Sequence, residues 1–289
     1  MSTPRVAAVH DLSGFGRCSM TIALPTLAAM GVQCCPVLTA YLSTHTGGFA
    51  DNTFLDLTDQ MAPVAAHWLR EGVTFDGIYT GFMGSREQIT LTAELIEAFK
   101  KERTIVVVDP VMGDHGKPYR TYTAEMCRAM GELADRADVI VPNRTEAAIL
   151  LGVDYGEIRL DSREAGRYWA QRLSRNGDCS VVLTGVDHGD GRIGSVCFDR
   201  ATGETGFALA PKVEESFHGT GDLFASVLTG GLVKGKSLAE SAQLAAEFTS
   251  LCAARMAAQP RLPRREGIDF EPLLWRLGQV CNEGGVLSL

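Results

Sequence analysis

Short runs of β-branched and apolar residues alternate along the chain with longer stretches in which apolar positions recur every three or four residues. The runs at 5–9, 33–39, 77–80, 104–108, 138–141, 180–184 and 194–198 predict strands. The stretches at 19–30, 88–101, 124–134, 146–151 and 163–176 carry helical spacing. In the last third, Leu238, Ala242, Ala245, Phe248, Leu251, Cys252 and Met256 fall on one stripe and predict a core-facing helix. Strand and helix in alternation are the pattern of parallel βαβ units. The connection rules then make an α/β fold, a right-handed, doubly wound and mostly parallel sheet flanked by helices.

Ligand sites in open α/β sheets lie beyond the carboxyl ends of the strands, and polar residues gather there. Asp11 follows the first run, Asp109 follows 105–108, Asn143 and Glu146 follow 139–141, and Thr184-Gly185 follows 181–183. The segment His218-Gly219-Thr220-Gly221-Asp222 precedes the apolar run 223–233. Each of these alone reads more readily as a turn former or an N-cap; five at strand exits point to a site. A glycine-rich turn feeding a buried helix lets backbone amides approach an anion, and the helix dipole adds positive potential there. Asp222 would stand beside the developing charge, able to accept a proton from a hydroxyl that attacks the terminal phosphorus of a nucleotide. On these five residues alone, catalysis and helix capping are equal readings.

Two further segments carry chemistry. Asp109 and Asp114, in Asp109-Pro110-Val111-Met112-Gly113-Asp114, are suited to orienting Mg²⁺ between nucleotide phosphates, directly or through water. Asn143 and Glu146 have the spacing to share that water shell, and the same spacing is that of a capping box; the two roles are compatible.

Composition narrows the partners. A length of 289 residues suffices for a large core, and neither a dividing linker nor a repeat interrupts it, so one domain over 1–289 is expected. The net charge of -8 excludes a general attraction to nucleic acid or to an anionic membrane. Residues 1–8 are too short and interrupted for a signal peptide, no apolar run approaches the roughly 18 residues of a bilayer span, and a cytoplasmic protein is expected. The eight cysteines have no CxxC spacing and the six histidines no metal-ligand pairing, so buried thiols are expected rather than a structural transition metal. The tail 281–289, with its Gly-Gly pair, reads as a surface end.

In combination, DLSGFG at 11–16, STHTGG at 43–48, TGFMGS at 80–85, VVVDPVMGD at 106–114, VPNRTEA at 141–147, VVLTG at 181–185 and HGTGD at 218–222 resemble the ribokinase-like superfamily. The match is closest to the pyridoxal (vitamin B6) kinases and runs in the family's order from about 6 to 257. The related hydroxymethylpyrimidine kinases share DPVM, PN..E and HGTG, but usually place Cys where Asp222 stands.

The resemblance implies ATP-dependent phosphorylation of the 5'-hydroxymethyl group of pyridoxal, pyridoxine and pyridoxamine, with Mg²⁺, and in this family often K⁺, in a cytoplasmic homodimer. It gives Asp222 the role of base and Gly219, Thr220 and Gly221 that of the anion hole. Asp109, Asn143 and Glu146 match positions that arrange Mg²⁺ and phosphate. Thr184 and Gly185 match nucleotide contacts, the segment from Lys212 and Val213 to Ser216 borders adenine, and Lys117 and Tyr119 lie in a flap over the nucleotide. Asp11, Ser13, His45, Thr46 and Phe82, with Asp222, match the substrate side. Many pyridoxal kinases have Ser at Asp11 and Tyr at Phe82, whereas Asp11 matches the pyrimidine kinases. The alternatives are therefore a hydroxymethylpyrimidine kinase, a sugar or nucleoside kinase, disfavoured by the lack of a lid insertion, and a non-catalytic vitamin or nucleotide binder, disfavoured by Asp222 and both anion-hole glycines.

Overall fold

The computed structural model describes residues 2–175 and 177–282. The order is β1 (Arg5–Ser13), α1 (Ser19–Ala29), β2 (Gln33–Leu42), β3 (Phe54–Asp56), α2 (Thr58–Arg70), β4 (Gly77–Thr80), α3 (Arg86–Phe99), β5 (Ile105–Val108), β6 (Gly113–Asp114) and β7 (Lys117–Pro118). There follow α4 (Ala124–Ala134), β8 (Val139–Ile140), α5 (Arg144–Leu151), α6 (Arg163–Leu173), β9 (Ser180–Asp187), β10 (Arg192–Asp199), β11 (Glu204–Pro211), α7 (Thr220–Val233), α8 (Leu238–Ala257) and α9 (Leu274–Asn282).

Among the described residues, the main sheet has nine strands in the order β11-β10-β9-β8-β5-β4-β1-β2-β3. Its centre, from β9 across to β2, is parallel. The edges are antiparallel: β3 on β2 at one side, β10 and β11 beyond β9 at the other. The expected α/β fold with a mostly parallel sheet is therefore present.

Successive strand residues point to opposite faces, and both faces are covered. Ala7, Val9, Val106, Val108, Val181 and Leu183 join one core with Ile96 and Phe99 of α3, Met130 of α4 and Trp169 of α6. Val6, Val107 and Val182 join the other with Ile22 and Leu27 of α1, Leu223 and Leu228 of α7 and Phe248 of α8. The predicted stripe of α8 is the one that lies against this second core. From β1 the chain goes to β2 on one side and comes back to β4 on the other. That reversal opens a crevice at the carboxyl ends of β1 and β4, the place where open sheets bind ligands.

Several elements differ from expectation. The polar residues after Val9 remain in strand: β1 continues to Ser13 and stays paired with β2 past an irregularity between His10 and Leu12. The strands β3, β6, β7 and β11 and the helices α2 and α9 have no counterpart among the predicted elements. The helix expected over 163–176 ends at Leu173, Asn176 lies outside the described residues, and so do residues 283–289 of the tail. All eight cysteines are free thiols. Among the described residues no helix is long and apolar enough to cross a membrane.

Candidate active site

At the head of α7 the N-cap is Gly219, at φ +83°, and no side chain caps the helix. Its first-turn amides are therefore left for a ligand, and the dipole of the helix points the same way. A Cβ on Gly219 would lie 2.6 Å from the carbonyl oxygen of Arg17, so only glycine fits. One on Gly221 would meet nothing within 4 Å, which leaves the approach to the amides open. The Thr220 hydroxyl is turned away, donating to the carbonyl of Phe217 at 3.1 Å. Asp222 lies in the first helical turn rather than at the cap, so the simple capping role is not realised. Burial pushes its carboxyl up to about 6, Asp11 adds to the rise, and the backbone N–H of Ser19 opposes it.

Asp11 and Ser13, near the end of β1, are both buried. Burial raises the Asp11 carboxyl, while the Ser19 and Ser13 hydroxyls hold it back. Ser13 also accepts from the Cys18 thiol at 3.4 Å. Ser19 thus touches both carboxylates from a left-handed backbone at φ +45°, a conformation L-residues seldom adopt without compensating contacts. No motif of the sequence singles out Cys18 or Ser19. Their only signal was a polar pair at the entrance of a predicted helix.

Asp109, just past β5, lies within electrostatic reach of Asp222 and of Glu146, in the first turn of α5. The capping box is present: Asn143 Oδ1 accepts from the amides of Thr145 (2.8 Å) and Glu146 (3.0 Å), and Glu146 Oε2 accepts from the Asn143 amide at 2.8 Å. Glu146 Oε1 accepts from the Met112 amide at 3.1 Å. Burial lifts the Glu146 carboxyl to about 8 in spite of these bonds. Asp109 is raised well above the carboxylate range by burial, then by Glu146, then by Asp222. Buried carboxylates with no cation among the influences on Asp109 suit a divalent ion. Among the described residues no three His, Cys, Asp or Glu side chains are grouped to hold a metal by themselves. Asp109 and Glu146 would thus supply part of a Mg²⁺ shell, with water and phosphate oxygens as the rest, the arrangement this ion favours.

The β6–β7 hairpin folds over this side. Asn143 Nδ2 donates to the Gly113 carbonyl at 2.9 Å and Thr145 Oγ1 accepts from the Gly116 amide at 2.9 Å. Lys117 and Tyr119 follow, both exposed. Thr184 donates its amide to the Pro142 carbonyl at 2.9 Å, and Gly185, at φ +80°, borders a cleft of about 490 Å³ lined also by Arg144, Arg159 and Asp187. Lys212 is paired with Asp187 (3.1 Å) and Glu214 (3.0 Å), while Val213 packs on the α7–α8 core. Of the expected nucleotide contacts, then, Lys212 has its charge already engaged.

On the substrate side, Thr46 is exposed and Phe82 is half-buried with its ring 6.1 Å from that of Tyr122. His45 is different. Its Nδ1 accepts from the Gly47 amide at 3.1 Å, so Nε2 carries the proton and donates to the Arg265 carbonyl at 2.8 Å. Neither ring nitrogen is left for a ligand, and the ring instead fills the space beside Gly16, where a Cβ would come within 2.3 Å of it.

The profile of the phosphomethylpyrimidine kinase family matches residues 20–262. The chain is 29% identical over 287 residues to a pyridoxine/pyridoxal/pyridoxamine kinase of Bordetella avium, covering 93% of each. Among solved structures, the pyridoxal kinase of Lactobacillus plantarum is 32% identical with a TM-score of 0.88, over 98% of this chain and 99% of that one. A Bacteroides thetaiotaomicron protein provisionally classed as a phosphomethylpyrimidine kinase, in a crystal form with pyridoxal, is 37% identical with a TM-score of 0.85, over 96% of both chains.

Proposed function

The chain belongs to the phosphomethylpyrimidine kinase family, and we propose that within this family of kinases it phosphorylates the 5'-hydroxymethyl group of pyridoxal, pyridoxine and pyridoxamine, using ATP, as a cytoplasmic homodimer. The observation that carries the reading is the head of α7, where uncapped amides and the half-buried Asp222 lie side by side. The relatives named as vitamin B6 kinases support the choice of substrate.

In this reading Asp222 accepts the proton of the substrate hydroxyl as its oxygen attacks the γ-phosphorus. The amides of Gly219, Thr220 and Gly221 bind the equatorial oxygens of the transferring group, and the departing oxygen leaves with ADP. Asp109 and Glu146 would hold Mg²⁺, directly or through water, and the bound ion would neutralise charge on the phosphates. Thr184 and Gly185 border the nucleotide and Asn143 holds the hairpin above it. Asp11, with Thr46 and Phe82, faces the vitamin ring. Catalysis is then chiefly positioning and charge stabilisation.

One observation favours a second reading. The buried carboxylate of Asp11 suits an aminopyrimidine as well as a pyridine, so a hydroxymethylpyrimidine is the competing substrate. The test is turnover of purified protein with ATP, Mg²⁺ and K⁺ on the three pyridines, on hydroxymethylpyrimidine and on ribose, with product confirmed by mass. Preference for the pyridines is expected. Preference for the pyrimidine would replace the first reading by the second, and silence on all five would overturn both.

A further inference from the structure

The charged segment 264–271 has no hydrophobic period and lies outside every motif discussed above, yet three loops of the site rest on it. The first loop does so through Arg17. Its amide donates to the Glu266 carbonyl at 2.8 Å, its Nε reaches both oxygens of Glu271 at 2.8 and 2.9 Å, and its Nη2 reaches Asp269 at 3.1 Å. The other oxygen of Asp269 accepts from Arg255 of α8 at 3.0 Å, so one buried carboxylate ties the segment to two guanidiniums. The second loop does so through His45, on the Arg265 carbonyl, and Phe49, whose ring lies 5.2 Å from the Arg265 guanidinium. The third is the anion-hole loop itself: the Ile268 amide donates to the His218 carbonyl at 3.0 Å.

The strap and two of these loops meet at one atom. The carbonyl oxygen of Arg17 is wedged between two glycines, and a Cβ on either Gly219 or Gly267 would come within 2.6 Å of it. Gly267 holds φ +87° there. Ile268 and Phe270 are fully buried and anchor the segment to the second core. A shift of Arg17 would therefore be felt directly by the anion-hole loop. Two residues further on, Ser19 contacts both Asp11 and Asp222.

We propose that 264–271 is a strap that sets the relative position of the anion hole and the base, and that Arg17 is the positioning residue through which it acts. The proposal rests on the kinase reading above. The side chain of Arg17 is spent on Asp269 and Glu271, and its effect is on where Gly219 and Ser19 stand. A displacement on the order of 1 Å in such a site costs about a hundredfold in rate.

The test compares full-length wild type with Arg17→Ala and Arg17→Lys. With ATP, Mg²⁺ and pyridoxal, Arg17→Ala should lose on the order of 10- to 100-fold in kcat, while KM for both substrates stays within about threefold. Lysine, which keeps the charge but not the fork, should recover part of the loss. In parallel, amide hydrogen exchange should quicken in peptides covering 13–19 and 217–223 and stay unchanged in those of β5 and β8. A kcat within twofold of wild type, a loss carried wholly by KM, or exchange that quickens uniformly would each overturn the strap. If wild type turns over none of the substrates, the functional reading fails by itself; the exchange pattern then upholds the strap if localised and overturns it if uniform or absent. Should Arg17→Ala not fold, Glu271→Gln, at the exposed end of the network, carries the same comparison with the same outcomes.

Discussion

Asp222 has two demands on it, since a base must be ionised to act and burial resists ionisation. With its carboxyl pushed up to about 6, it is mostly ionised at neutral pH and a better proton acceptor than an ordinary aspartate. Below that value it takes up a proton and cannot accept another. The acid limb of kcat/KM should therefore fall about tenfold per unit below roughly pH 6, and a flat profile to pH 4.5 would remove Asp222 from the role. Asp222→Asn keeps the shape and removes the basicity, so kcat should drop by about 10²- to 10⁴-fold with little change in KM for ATP, as steady-state kinetics will show. Asp11→Ser would exchange a buried carboxylate for a hydroxyl. If Asp11 selects the ring, the ratio of kcat/KM between pyridoxal and hydroxymethylpyrimidine should move toward pyridoxal by about tenfold or more, in line with the worth of one charged hydrogen bond. At this scale the sequence was informative about charged residues at strand exits, because an acid set among apolar runs needs a reason to be there. It was silent about Arg17 and Ser19. Arg17 takes its meaning from carboxylates 252 and 254 residues away, and Ser19 from a left-handed backbone that no composition rule expresses for serine.

The same division holds among the elements. Central strands such as β4 and β5 were legible because both faces are apolar, and α4 because its buried stripe is regular. The β3 strand was not, having three exposed residues; α2 carries Pro63 inside it and buries only Thr58 and Met61 fully. The β6–β7 hairpin was legible as a motif but not as structure. Its strands have two residues each, and its shape depends on Gly113, where a Cβ would lie 2.4 Å from the Lys117 carbonyl. The hairpin is latched by Thr145 and Asn143, and a Cβ on Gly116 would come within 2.9 Å of the Tyr155 ring. Thr145→Val removes the acceptor and keeps the volume. A net hydrogen bond of about 0.5–1.5 kcal/mol predicts a rise of about 2- to 10-fold in KM for ATP, with kcat nearly unchanged. An unaltered KM, measured at saturating pyridoxal, would mean that the hairpin does not govern nucleotide binding.

For the molecule as a whole, the sheet has two edges, and they are treated differently. Beyond β10 the edge strand β11 is covered on both faces, Ala208 and Ala210 in the core with α8 and Leu209 in the core with α6. At the opposite edge, β3 pairs with β2 but leaves Phe54 at 54% and Leu55 at 58% exposed, with Tyr41 of β2, paired opposite Leu55, at 43%. An edge strand with open backbone and adjacent apolar side chains is a template for further pairing unless something covers it. The cover proposed here is a second copy of the chain, which would bury this patch close to the crevice between β1 and β4. Leu55→Lys places a charge in the middle of the patch, where it is harmless on a free surface and costly in an apolar contact. Light scattering at micromolar concentration should give the mass of a dimer for the wild type and of a monomer for Leu55→Lys, with circular dichroism unchanged. A wild type that is monomeric, or a variant that stays dimeric, would move the assembly away from this edge.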